Sequence, residues 1–371
     1  MKVVLGLSGG VDSSYSARYL MNLGYEVIGV TMQVYENTPS SNDIEDAKNL
    51  AKFLGIDHHV IDMRKEFRDH VISKFVDDYL NARTPNPCAV CNRYVKFKFL
   101  LDAKEKFGAD KIATGHYARV IYDEETKRYA IAKSKYVEKD QSYILYDLTQ
   151  DQLKDLILPL ADYTKVQVRK MAEDSGITLS QKRDSFDICF IKDGDYKRFI
   201  RDEKLGADYR ERIASGEKEI PFLQKGYFVD KEGTVLGWHE GIINYTIGQR
   251  RGISIDVGTI NKKSKLKFTD RAFVGDIDVE KNLVTLVSDE DLYKDELYCY
   301  NVNFQALEDI KEPTKALCKI RYKDNGEYGI LTKEEGGIYK FKFDKKVRAI
   351  ARGQSAVFYV DDKILCGGVI K

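Results

Sequence analysis

The sequence has almost no net charge: 60 Lys and Arg stand against 59 Asp and Glu over 371 residues, leaving +1. Overall charge therefore selects no partner, and any hold on nucleic acid must come from local patches. No apolar run is long enough to cross a membrane. The first apolar run is also too short for the hydrophobic part of a signal peptide. Six cysteines are too few for a disulfide framework in a chain of this length. A cytoplasmic enzyme is the expectation. There is no internal repeat and no low-complexity tract. With 24 tyrosines, the aromatic content argues against disorder. The length suggests two or three domains.

The most informative stretch lies at the N-terminus. An apolar run leads through Gly6 and Leu7 into Ser8, Gly9, Gly10, Val11, Asp12 and Ser13, and a helical pattern follows from Tyr15. Strand, glycine-rich turn and helix together form a phosphate cradle, with backbone N–H groups and the positive helix end facing one point. The turn lacks the lysine of GxxxxGK[ST], which excludes the usual nucleotide loop. It resembles the pyrophosphate loop of ATP-pyrophosphatases, which split ATP between the α- and β-phosphates.

Strands and helices alternate through the first third. Strands are expected over 26–34, 58–63 and 111–114, and helices over 43–54, 66–80 and 92–107. That alternation implies a parallel sheet with ligands beyond the carboxyl ends of its strands. A hairpin is expected over 118–134, and a helix capped by Thr164 over 164–175. From about 206 glycines recur and helical periodicity fades. From about 270 short β-type runs predict a small antiparallel barrel or sandwich. The expected division is 1–205, 206–269 and 270–371.

Cys88 and Cys91 follow a Pro85–Asn86–Pro87 turn at the mouth of a helix. Such a position lowers a thiol pKa and suits a nucleophile or a metal ligand. A CxxC can be a redox pair, half a zinc site or part of an iron–sulfur site. No second CxxC and no suitably spaced histidine complete a zinc site. Cys189 stands in DSFDICF without a helical stripe. Cys299, Cys318 and Cys366 lie in β-type runs and read as small buried hydrophobes.

With these residues in hand, the chain resembles the bacterial tRNA-specific 2-thiouridylases, the MnmA/TrmU family, along nearly its whole length. The resemblance rests on SGGVDSS, TPNPCAVCN followed by VKF, ATGHYAR, KDQSYILY, DSFDICFI, YTIGQRRG, KIRYK and GQSAVFYV, in the family order. It implies an N-terminal parallel-sheet ATP-pyrophosphatase (HUP-like) domain, a small mixed central domain and a C-terminal antiparallel β-barrel. The implied reaction adenylates the C2 oxygen of the wobble uridine of tRNAs for Lys, Glu and Gln, and then replaces it with sulfur. ATP is assigned to Gly6, Leu7, Ser8, Gly9, Gly10, Val11, Asp12 and Ser13, with Met32 and Gly115 lining the nucleotide. Mg²⁺ accompanies the triphosphate, with Asp12 a candidate ligand. Cys189 carries the transferable sulfur and Cys91 attacks to release it. Asn86, Pro87 and Cys88 touch the target base. His116, Lys139, Asp140, Gln141, Arg321, Tyr322 and Gln354 contact tRNA.

Many relatives carry Asp where this chain has Cys88, so an acid–base role for that Asp does not transfer. Cys88, Cys91 and Cys189 instead make three thiolates that can hold a four-iron four-sulfur cluster with one iron open for hydrosulfide. The expected partners are the tRNA anticodon stem-loop and a persulfide or sulfide donor protein. The stretch 225–271, with nine basic and five acidic residues, is a further candidate for RNA, centred on Gln249–Gly252. Two other functions fit parts of the pattern. One is an ATP-pyrophosphatase with a nitrogen nucleophile, which needs no CxxC. The other is a non-catalytic RNA-binding or iron–sulfur protein, which would show no ATP/pyrophosphate exchange.

Overall fold

A computed structural model describes residues 1–34, 43–177, 188–191, 193–206, 215, 223–264 and 271–371. Of the DSFDICFI run, Asp184 to Asp187 lie outside them, as do residues 265–270 of the basic stretch.

Three sheets organise the chain. The first is parallel, in the order β3 (Asp57–Asp62), β2 (Glu26–Gln33), β1 (Lys2–Gly6), β4 (Lys111–Ala113), β7 (Leu156–Ile157). Successive residues of β1 point to opposite faces. Val3 and Leu5 pack under α1 (Val11–Asn22), α2 (Asp43–Leu54) and α5 (Lys165–Asp174). Val4 packs on the other face against two longer helices. One, α3, is Arg64–Phe67, a π turn Arg68–Ile72 and Ser73–Leu80 in succession. The other, α4, is Pro87–Cys91, a π turn Asn92–Lys96 and Phe97–Phe107. β1 has β2 on one side and β4 on the other, so the strand order reverses there, and a crevice opens at their carboxyl ends.

Helix α4 starts five residues earlier than the periodicity predicts. Pro87 takes the first helical position, where its missing N–H costs nothing, and the Asn86 side chain accepts from the Ala89 N–H.

The second sheet is mixed, in the order β10 (Phe273–Asp278), β11 (Leu283–Val287), β8 (Gly226–Val229), β9 (Val235–His239). Pairing thus gathers 273–287 with the central strands, around Phe228, Leu236, Val274 and Leu286. The expected boundary at 269/270 thus falls before two strands that share a sheet with β8 and β9.

The third sheet holds a closed antiparallel barrel of six strands: β12 (Tyr293–Phe304), β15 (Tyr339–Arg348), β14 (Glu327–Lys333), β13 (Thr314–Lys319), β16 (Ser355–Val360) and β17 (Lys363–Ile370), with β12 pairing back to β17. Cys299, Cys318 and Cys366 are buried in its core. The hairpin β5 (Ala118–Asp123) and β6 (Arg128–Lys133) forms as expected. It also extends this sheet through Lys363 opposite Ala132, which ties the first domain to the barrel.

Candidate active site

The cradle is built by backbone at the end of β1. The Leu7 N–H bonds to the Val30 carbonyl, which keeps the chain beside β2 until the turn. Gly9 has φ +68°, and a Cβ there would lie 2.5 Å from the Asp43 carbonyl. Gly10 caps α1 with no side chain over the helix end. Ser13 Oγ donates to the Gly10 carbonyl at 3.0 Å and accepts from the Ser8 N–H at 3.2 Å, fixing the curl of the loop. Gly115 closes the other wall. A Cβ there would lie 2.9 Å from both the Asp12 carbonyl carbon and the Ser13 nitrogen, so only glycine lets β4 end against α1. Met32 lies half-buried near the end of β2.

Two residues with no role assigned from sequence meet Asp12. Lys165 Nζ lies 2.8 and 2.7 Å from its two carboxylate oxygens, and the Tyr117 hydroxyl donates to Oδ1 at 2.6 Å. Lys165 opens α5, held there by the Thr164 capping box. Its side chain is only 11% exposed, so the cation is committed to the crevice.

Three thiols interact with one another: Cys88 and Cys189 are exposed and Cys91 is half-buried. For Cys88 and Cys91 the ionisation departs from expectation. Burial pushes the Cys91 thiol up to about 12, and neither the Lys96 cation nor a hydrogen bond from its backbone reverses this. Burial also raises Cys88, with Cys189 adding to it and Lys96 opposing. The helix start that predicted a lowered pKa is outweighed at Cys91 because protein surrounds that thiol. Lys96 closes the π turn one step beyond Cys91. It has no ion pair among the described residues and is a third residue given no role from sequence. A π turn inserts an extra residue that 3.6-residue periodicity cannot reveal.

The loop before Cys88 is clamped by the barrel. The Thr84 N–H donates to the Arg352 carbonyl at 2.7 Å, and Asn86 Nδ2 donates to Ser355 Oγ at 3.0 Å. Gln354 Nε2 donates to the Thr84 and Pro85 carbonyls at 3.2 and 3.0 Å. Gly353, at φ +87°, lets the barrel turn approach: a Cβ would lie 2.7 Å from Arg83 Cβ. We expect Gln354→Ala to release two loop carbonyls and lower kcat by about tenfold, with ATP affinity unchanged. Steady-state kinetics in both substrates checks this.

The other expected tRNA contacts fall in two groups. Tyr322 is 41% exposed; the partial burial of its ring raises its hydroxyl pKa, with Asp140 and Cys88 adding to it. Arg321 and Lys139 are half-buried, and Arg321 donates to the Ala349 carbonyl. His116, Asp140 and Gln141 are engaged inside the protein. His116 is buried, stacks on Phe97 and shares a hydrogen bond with Thr114; burial, aided by Lys96, lowers its pKa well below the usual histidine value. Asp140 accepts from the Ser134 and Ser142 N–H groups, and Gln141 Oε1 accepts from the Tyr117 N–H. Among the described residues no three His, Cys, Asp or Glu side chains are placed to hold a metal ion. No helix among them is long and apolar enough to cross a membrane.

Residues 1–193 match the family described as tRNA methyl transferase HUP domain. Residues 217–288 match its PRC-barrel domain, and 294–370 an aminomethyltransferase beta-barrel domain. The tRNA-specific 2-thiouridylase MnmA of Acetivibrio thermocellus is 40% identical over 381 aligned residues, covering 100% of this chain and 99% of that protein. The protein of the same name from Clostridium acetobutylicum is 42% identical over 100% of this chain and 99% of its own length. Among solved structures, the U34-tRNA thiolase NcsA from Methanococcus maripaludis with its 4Fe-4S cluster aligns at TM-score 0.34 and 19% identity, covering 58% of this chain and 71% of that one.

Proposed function

The chain belongs to the tRNA-specific 2-thiouridylase family, and on that footing we propose how its residues carry the reaction. It catalyses ATP-dependent 2-thiolation of uridine in tRNA. The uracil C2 carbonyl is a poor electrophile whose oxygen cannot leave. Attack of that oxygen on the α-phosphorus of ATP expels pyrophosphate and turns it into part of an AMP leaving group. Sulfur then adds at C2, and AMP departs with the oxygen. What supports the assignment is that one chain of this family carries both a glycine-rich cradle at the end of β1 and three cysteines whose thiols interact. A methyl transfer, which the family descriptions name, uses neither.

Gly9, Gly10 and the first turn of α1 hold the β- and γ-phosphates. Asp12 would hold Mg²⁺, which would neutralise charge on the triphosphate. Lys165 places a second cation at the same site and balances charge on the departing pyrophosphate. Met32 and Gly115 border the nucleotide. The substrate is the wobble uridine, flipped from the anticodon loop onto the Asn86–Pro87–Cys88 edge under Tyr322. His116, kept neutral, accepts hydrogen bonds rather than clamping phosphate. Lys139, Asp140, Gln141, Arg321 and Gln354 support the RNA-facing loops.

For the sulfur step, Cys189 takes sulfur from a donor protein as a persulfide; Cys91 attacks the Cys189 Sγ, the Cys91–Cys189 disulfide so formed expels the outer sulfur as hydrosulfide for addition at C2, and an external dithiol reduces the disulfide before the next turnover. The third thiol favours a second reading. Cys88, Cys91 and Cys189 suit a four-iron four-sulfur cluster by donor chemistry, and metal ligation would remove the protons that burial favours on Cys88 and Cys91. When bound, the cluster would supply an open iron that takes up hydrosulfide. Anaerobic reconstitution decides between the two. Equal turnover from sulfide with and without iron eliminates the cluster. We take the enzyme to act in the cytoplasm.

Nucleoside mass spectrometry of tRNA incubated with ATP and sulfide tests the assignment; 2-thiouridine must appear. Arg250 and Arg251 are exposed and have no ion pair among the described residues. Replacing both with alanine should flatten the slope of log affinity against log salt by about 1 to 2. Binding titrations at several salt concentrations measure it.

A further inference from the structure

The molecule has one tryptophan, and it is displayed rather than buried. Trp238 is 57% exposed on β9, the edge strand of the central sheet. Directly opposite on β8 stands Tyr227, 38% exposed. The two rings lie 4.2 Å apart between centroids, tilted by 35°. Beyond them the Lys225–Glu240 ion pair, at 3.2 Å, ends the hairpin face. Nothing in the thiolation chemistry uses this pair. Water-facing aromatics of this size are costly unless something covers them.

The neighbouring chain indicates the occupant. Ser254 Oγ donates to the Trp238 carbonyl, and Ile255 fills the space over Gly237. The segment beside β9 is therefore the continuation of the Arg250–Arg251 turn. That turn is rigid. Gln249 Nε2 donates to the Asn244 and Arg251 carbonyls, and Gln249 Oε1 accepts from the Thr246 N–H. The Gly248 N–H donates to the Val274 carbonyl. Gly248 also presses on Ala349, whose carbonyl accepts from Arg321, the neighbour of Tyr322 at the thiol recess. A line of contacts thus runs from Arg321, past the turn of Arg250 and Arg251, whose guanidinium groups have no ion pair among the described residues, to the aromatic pair.

We propose that Trp238 and Tyr227 form a stacking platform for an unpaired nucleotide of the same tRNA whose uridine enters the recess. Cationic groups that follow the backbone beside an aromatic face are the two components of single-strand recognition. The proposal rests on the tRNA-thiolation reading and extends it to a second contact, remote from the target base.

Trp238 is its own probe. With excitation at wavelengths where tyrosine is silent, added unmodified tRNA should quench its emission, with a midpoint equal to that of binding. Trp238→Ala should raise KM for tRNA by about tenfold. Trp238→Phe, which keeps a stacking face, should restore most of the loss. Emission unchanged at saturating tRNA overturns the platform, whether or not Trp238→Ala folds. A shift that follows protein concentration without RNA assigns the pair to contact between copies and equally overturns it. Thiolation without quenching removes the platform alone; no thiolation by the wild type removes the underlying reading.

Discussion

Cys91→Ala lowers 2-thiouridine formation by about a thousandfold or more while ATP/pyrophosphate exchange in the presence of tRNA continues. The split follows from geometry. The cradle is made of backbone and of Asp12, Lys165 and Tyr117, none of which bonds to Cys91. Cys91 instead immediately precedes the π turn of α4 and interacts with Cys88 and Cys189. Both the persulfide and the cluster readings need it, so the prediction does not depend on which operates. Cys189→Ala should behave alike, because the same two readings require it. Cys299→Ala is the control. That thiol lies in the barrel core, so its loss should cost some thermal stability and no chemistry. A nitrogen-transferring ATP-pyrophosphatase would keep its activity in all three variants.

Lys165→Ala should produce the second large effect, slowing adenylation by about a hundredfold. Removing the ammonium leaves Asp12 with only the Tyr117 hydroxyl and removes a cation from a phosphate site. Pre-steady-state release of pyrophosphate measures this step before sulfur transfer intervenes. Lys165→Arg keeps the charge but not the point geometry, and should recover only part of the rate. Gly115→Ala tests the wall rather than the charge. Its Cβ would press on backbone atoms of α1, which cannot swing away, so ATP affinity should fall as well.

The sequence and the structure agree where signals are local. β1, its glycine turn and α1 were legible because an apolar run, two glycines and a helical stripe follow one another within 20 residues of the start. α2 and the Thr164 cap were legible for the same reason. Three features were not. Lys165 meets Asp12 across 153 positions of chain, and nothing local to either residue marks the pair. The π turns in α3 and α4 break the period used to find helices. The long strand β12 alternates charged and apolar residues only in part, and closing the barrel depends on its pairing with both β15 and β17. Thiol ionisation was misjudged for a related reason. Position in a helix can be read from sequence, but the depth of protein around Cys91 cannot.

The loop before Cys88 illustrates how the domains cooperate. Its two carbonyls are held by Gln354, its Thr84 N–H by Arg352, and its Asn86 side chain by Ser355, all in one barrel turn. The barrel therefore fixes the edge that we propose meets the base, although it supplies none of the three interacting thiols.

The central claim is that nucleotide activation and sulfur delivery act on one uridine oxygen. The most direct measurement is stoichiometry in one anaerobic reaction of tRNA, ATP and sulfide. The account predicts AMP, pyrophosphate and 2-thiouridine in equal amounts. ADP in place of AMP, or 2-thiouridine formed at the same rate without ATP, would contradict it.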